Sequence, residues 1–206
     1  MKENYVITIG RQLGSGGREI GQKLSERLGI SFYDKELIRL ASQESGIKED
    51  VFEKVDEKKR FSFLGGFFSL RGSVSEDDFQ NYYLTNETLF NIQSDVIRSL
   101  AEQKSCIFVG RCADYVLKEN PHCLNVFISA DMNDRIKRVS ENMHLPEYKA
   151  IEHIKKTDRQ RAGYYNYFSD KTWGVAESYH LCINSSVLGI DETVSFICQL
   201  AEKKFE

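Results

Sequence analysis

Residues Tyr5 to Ile9 read YVITI and run without a break into Gly10, and four small residues, Gly14-Ser15-Gly16-Gly17, follow. A β-branched run with no polar alternation is the signature of a strand buried on both faces, the habit of parallel sheets. From Glu19 the apolar residues Ile20, Leu24 and Leu28 recur at helical spacing, and Gly29 supplies a stop. The chain must therefore make a strand, a glycine turn and a helix within its first thirty residues. Such a turn has one strong physical aptitude. Glycine admits backbone conformations that point successive N–H groups inward, the helix N-terminus adds partial positive charge, and no Cβ blocks close approach of an anion. Arg18 adds a full charge there. The turn predicts phosphate held by Gly14, Ser15, Gly16, Gly17 and Arg18; the alternative is a tight strand-to-helix turn without a ligand.

The rest of the chain repeats the alternation. Ile30–Tyr33 reads as a second strand, and CIFV (106–109), LNVFI (124–128) and HLCI (180–183) as three more. Helices are expected from Asp34 as N-cap, carrying Leu37, Ile38 and Ala41, over 47–60, 85–104, 131–143 and 146–162, and over 191–200 at the end. Strands alternating with helices imply an α/β fold with a mainly parallel sheet of about five strands and right-handed crossovers. With 206 residues and about 150 per domain as a soft guide, one domain over 1–206 is the economical reading. Residues 61–84 break the pattern: Phe61, Phe63, Phe67, Phe68 and Phe79 mix with glycine and serine. Together with residues from 47 onward they read as a mobile or acceptor-side segment, or as a contact for a homodimer.

A net charge of −3 gives no global reason to bind nucleic acid or an anionic membrane. The five cysteines are odd in number, form no C-x-x-C pair and sit mostly in apolar runs, which argues for a reducing compartment. No stretch approaches 18 apolar residues and no signal segment opens the chain, so the cytoplasm is expected.

The glycine turn fits neither common nucleotide pattern strictly. In G-x-G-x-x-G the third glycine falls on Glu19. In G-x-x-x-x-G-K-[ST] the register with Gly16 as last glycine puts Arg11 at the first glycine and Gly17 at the lysine. Yet ITIGRQLGSGGREIGQKLSERLGISFYDKELI resembles the N-terminus of the cytidylate-kinase-like family of P-loop proteins. CIFVGRCADYVL resembles that family's strand, Gly-Arg and helix, and KKTDRQRAGYYNYFSDKTWG its lid. The resemblance covers nearly the whole chain.

It implies a three-layer P-loop sandwich with a lid at about 155–174, and ATP-dependent phosphoryl transfer, with Mg²⁺, to a nucleotide or similar small phosphorylated acceptor. Four positive side chains crowd residues 155–161, and arginine forks match phosphate oxygens and stabilise charge on a moving phosphoryl group. By resemblance Arg159 and Arg161 join Arg18 as catalytic groups, Arg135 and Arg138 face the phosphates, and Asp34, Arg39, Arg111 and Asp158 hold the acceptor; Asp34 and Arg39 stand one residue closer together than in cytidylate kinases. For Arg135 and Arg138, and for the charges of 155–161, a solvated helix face is the competing reading. With Gly17 at the lysine position and Arg18 or Glu19 where a magnesium-binding hydroxyl belongs, a nucleotide-binding pseudokinase is the alternative. An interaction protein built on the Phe61–Phe79 segment is a third. Glu19 or Asp114 would be the nearest approach to a metal ligand.

Overall fold

In the computed structural model residues 4–34 and 76–206 are described. The chain divides into two units, Met1–Asp34 with Leu100–Glu206, and Lys35–Ser99. The helices expected after Asp34 and over 47–60, residue Arg39, and the phenylalanine-rich segment as far as residue 75 lie outside the described residues. In the second unit helix α2 begins at Glu76 and runs on to Gln103. Within it Ser94 Oγ donates to Phe90 O at 2.7 Å, a helical back-bond, and Arg98 pairs with Asp95 at 3.0 Å.

The first unit holds a five-stranded sheet in the order β2-β3-β1-β4-β5. Its strands are β1 (Val6–Arg11), β2 (Ser31–Tyr33), β3 (Cys106–Val109), β4 (Cys123–Ser129) and β5 (Leu181–Asn184). Every pairing is parallel. The mainly parallel sheet of five strands expected from the alternation is thus what forms, with the apolar runs of β1, β3 and β4 covered on both faces.

Along β1 the two-residue period sends Ile7 and Ile9 to one face and Thr8 to the other. Ile7 and Ile9 join Ile107, Val109, Leu124, Val126 and Ile128 beneath helix α1 (Gly17–Leu28) and helix α6 (Ser185–Phe205). On the opposite face Thr8 donates to Asn125 Oδ1 at 2.7 Å, and Phe127 meets Trp173 edge-on and Tyr179. Between β3 and β4 lies a one-turn helix, α3 (Ala113–Val116). Helices α4 (Met132–Met143) and α5 (Glu147–Ser169) pack on each other after β4, with Val139, Ala150 and Ile154 between them.

Two boundaries differ from expectation. Helix α5 continues past Ala162 to Ser169. Gly163 faces open space, its cost of about 1 kcal/mol relative to Ala does not stop a helix whose next turn buries Tyr165, and Asp170, at φ 53, ends it. Helix α6 begins six residues before Asp191. Asn184 caps it by accepting from Ser186 N at 2.9 Å, and a single turn precedes a break at Gly189, whose φ of 76 and ψ of 174 leave the helical region.

Ile107 lies in the middle of β3, opposite Ile7 of β1 and Phe32 of β2, with no exposed surface. Replacing it by alanine is expected to cost about 2–5 kcal/mol through lost transfer energy and a residual cavity. A urea titration checks this: the midpoint falls while the slope is kept.

Candidate active site

The loop after β1 is built from backbone constraints. Gly14 and Gly16 have φ of 78 and 77, where glycine alone is unstrained. A Cβ on Gly14 would stand 2.7 Å from the carbonyl oxygen of Arg135, so the loop backbone lies against α4. Further anchors hold it. Gln12 N donates to Ile128 O at 3.1 Å, Ala130 N donates to Gln12 Oε1 at 3.2 Å, and Ser185 Oγ donates to Ser15 O at 2.7 Å. Helix α1 then starts at Gly17 with no side-chain cap. The N–H groups of Gly17, Arg18 and Glu19 meet no acceptor among the described residues, as at any uncapped helix start, and such a start is suited to an anion.

Arginines surround this turn. Arg138 Nη1 donates to Gly14 O at 3.0 Å and Arg161 Nη1 to Arg11 O at 3.1 Å. Arg135, 4% exposed, donates from Nε to Leu13 O at 2.8 Å and pairs with Asp158. The other oxygen of Asp158 accepts from Leu13 N at 2.8 Å. Asp158 therefore clamps α5 to the loop and to α4. Arg18, more than half exposed, donates from Nε to Asp34 Oδ2 at 2.8 Å, and Arg11 Nη2 is 3.8 Å from Asp34 Oδ1. Arg159 is exposed on α5 and makes no hydrogen bond or ion pair among the described residues. Arg111 is half-buried at the end of β3.

Among the described residues the arginines here outnumber the carboxylates. Burial first, and then the Arg161 charge, push the Arg11 guanidinium down to about 9, with Asp34 working the other way. Burial also lowers Arg161, against Asp158 and Asp34. Arginine keeps its proton at neutral pH, so this pressure is a standing demand for negative charge. Arg11 is the residue that the sequence reading missed. The signal was available: the two-residue period carries Ile7 and Ile9 on to Arg11, on the face beneath α1.

After β3 three successive residues, Gly110, Arg111 and Cys112, have φ of 80, 62 and 54. Left-handed conformations at two non-glycine residues are costly and gather at functional sites. Asp114 lies beyond them, buried, accepting from the Tyr165 hydroxyl at 2.6 Å. Burial raises its carboxyl while that hydrogen bond lowers it.

The donors at the loop suit a polyphosphate. A protein-held magnesium ion is not matched in the same way. Among the described residues no three His, Cys, Asp or Glu side chains gather as a metal cage. Asp34 and Asp158 are taken by arginines, Asp114 by Tyr165, and Glu19 is exposed and 3.5 Å from Lys23.

A family described as the cytidylate kinase-like family matches residues 6–187. The chain belongs to that family. Among solved structures, an uncharacterized protein from Eubacterium ventriosum is 25% identical with a TM-score of 0.71, the match covering 97% of this chain and 99% of that one. A shikimate kinase from Bacteroides thetaiotaomicron (14% identity, TM-score 0.53, 96% and 98% covered) and a gluconokinase from Sinorhizobium meliloti (12%, 0.53, 98% and 97%) share the fold. No curated protein matches the sequence. This member of a kinase-like family thus has the sheet and helices of P-loop kinases. No helix among the described residues is long and apolar enough to cross a membrane.

The clamp makes a testable demand. Asp158→Ala leaves the Arg135 charge buried without its partner and frees Leu13 N, at an expected cost of about 3–5 kcal/mol. Adding Arg135→Met recovers most of that loss, because the stranded charge goes with it. Denaturant midpoints of the two variants check both values.

Proposed function

We propose that this chain transfers the γ-phosphoryl group of ATP to a nucleotide, cytidylate-like, or to a related small phosphorylated acceptor. The observation that carries this reading is the excess of guanidinium charge around an uncapped helix start at the carboxyl end of the central strand. Among the described residues six arginines, Arg11, Arg18, Arg111, Arg135, Arg138 and Arg161, stand near two carboxylates, Asp34 and Asp158. In open α/β sheets ligands enter at the carboxyl ends of strands, where the strand order reverses. Here β3 lies to one side of β1 and β4 to the other.

In this reading the N–H groups of Gly16 to Arg18 take the β-phosphate, and Arg138 and Arg161 meet the γ-phosphate. Arg159, exposed on the same helix two residues before Arg161, meets the donor from the lid of about 155–174. Arg111 holds the acceptor's phosphate, with Arg39, Asp34 and Asp158 bounding its site. An acceptor phosphate oxygen attacks the γ-phosphorus in line, that bond forms as the bond to the β,γ-bridging oxygen breaks, and ADP leaves with the electron pair. A phosphate acceptor in its dianionic form brings no proton to remove. Phosphoryl transfer asks mainly for positioning and charge neutralisation, and arginines supply both. Magnesium would reach the site with the nucleotide's own phosphates. A homodimer and a cytoplasmic setting go with this reading.

The lysine position held by Gly17 supports a second reading, a nucleotide-binding module without turnover. Incubation with ATP and a panel of acceptors, nucleoside monophosphates first, then hydroxyl acceptors such as shikimate and gluconate, separates the two. Acceptor-dependent ADP formation is expected with a phosphorylated acceptor. Arg161→Ala should reduce kcat by about a hundredfold or more, as loss of one transition-state donor does. ATP binding without ADP across the whole panel would establish the second reading instead.

A further inference from the structure

We propose that Arg11 is the phosphate-binding cation of this site, reaching from the end of β1 to the place that a lysine on the first turn of the helix fills in G-x-x-x-x-G-K-[ST] loops. This deepens the phosphoryl-transfer reading and rests on its premise that a polyphosphate occupies the loop.

The first argument is register. β1 pairs with β3 only as far as Ile9, opposite Val109, whereas its pairing with β4 continues to Arg11, opposite Ile128. The last ladder bond on the β3 side is Gly110 N to Ile9 O at 3.0 Å. Beyond it β3 turns away, and β1 carries Arg11 two residues past its neighbour. Because Arg11 continues the row of Ile7 and Ile9, its side chain leaves the sheet beneath the first turn of α1.

The second argument is space. A Cβ on Gly17 would stand 2.6 Å from Arg11 Cβ and 3.1 Å from Arg11 Cγ. No side chain, lysine included, fits at 17 while Arg11 lies there. On its far side the guanidinium covers Gly110, where a Cβ would run into Arg11 Nη1, and Gly110 has φ of 80. Two glycines thus make the channel in which one arginine lies. In the usual loop the pattern is reversed: glycine stands at position 11 and the cation at position 17. The two departures from that pattern are one exchange.

The third argument is charge. The Arg11 side chain is 21% exposed, and its sole carboxylate neighbour within 4 Å among the described residues is Asp34, at 3.8 Å. Asp34 makes its shorter contact, 2.8 Å, with Arg18. Among the described residues the Arg11 guanidinium makes no hydrogen bond, while Arg161 and Arg111 add like charge. Five N–H donors in a fixed fork, largely withdrawn from water, are a bidentate site for phosphate oxygens. Arg18, the cation expected from the sequence, points instead to Asp34.

The test is a calorimetric titration of ATP, and separately of inorganic tripolyphosphate, into the wild type, Arg11→Met, Arg18→Met, Gly17→Lys and the double variant Arg11→Gly/Gly17→Lys, with melting temperatures recorded without ligand. Arg11→Met is expected to weaken both ligands by about tenfold or more, the scale of one hydrogen-bonded charge pair, and to keep or raise the ligand-free melting temperature, since it removes a cation from among cations. Gly17→Lys alone should melt lower, and the double variant should bind ATP within a few-fold of wild type, a non-additive cycle. Wild-type affinity in Arg11→Met would overturn the assignment, and so would a large fall in its ligand-free melting temperature, which would make Arg11 a structural residue. A wild type that binds neither ATP nor tripolyphosphate would overturn the phosphoryl-transfer reading itself, and this assignment with it.

Discussion

Positive charge in excess of its counter-charge at the carboxyl end of β1 is the constraint around which the first unit is arranged. Like charges brought together in a half-buried place repel, and the repulsion is not screened as it is at the surface. The fold holds them there by giving four of the guanidinium groups a separate carbonyl or carboxylate. Arg135 takes Leu13 O and Asp158, Arg138 takes Gly14 O, Arg161 takes Arg11 O, and Arg18 takes Asp34. Two of these acceptors belong to the loop backbone and a third to the last residue of β1. The arginines therefore shape the loop from its carbonyl side.

The sheet makes this possible because a strand flanked on both sides has no freedom in register. β1 is fixed by β3 and β4 at once, and the apolar row beneath α1 fixes which of its residues face the helix. A slip of one residue would put Thr8 and Gly10 in that row and send Arg11 to the opposite face, beside Phe127 and Tyr179. The burial of Ile7 and Ile9 is thus what aims Arg11, and packing in the core determines electrostatics at the site.

Much of this was legible in the chain. Continuous apolar runs gave the strands of the parallel sheet within one or two residues, since such runs have few other uses, and Gly29 stopped α1 as a residue at φ 65 should. The end of α5 was not legible, because a glycine at 163 and an aromatic cluster after it look like a lid hinge in sequence, and only the burial of Tyr165 shows that the helix continues. At the site, the loop and the arginines of α4 and α5 were legible by resemblance. Their partners were not. Asp34, expected at an acceptor, receives Arg18 and approaches Arg11, and Asp158, expected likewise, secures the loop. The pairs Arg18–Asp34 and Arg135–Asp158 span 16 and 23 residues and join different elements, and no helical or strand period encodes them.

The lysine position shows how a motif can mislead when it is read as a string. What a phosphate needs is a cation at a point in space, and a side chain can reach that point from the helix above or from the strand below. Only one of the two can be present, since their β-carbons would collide. A search for lysine after the last glycine therefore reports a loss where the structure shows an arginine six residues earlier in the same small volume. Arginine in that place is no plain substitute. Its planar fork holds two oxygens in a fixed orientation, whereas an ammonium follows the phosphate as it moves. A site that grips the donor from the strand side, and meets the travelling phosphoryl group with Arg138 and Arg161 from the helices opposite, separates the holding of the nucleotide from the stabilisation of transfer, which the single lysine of a common loop combines.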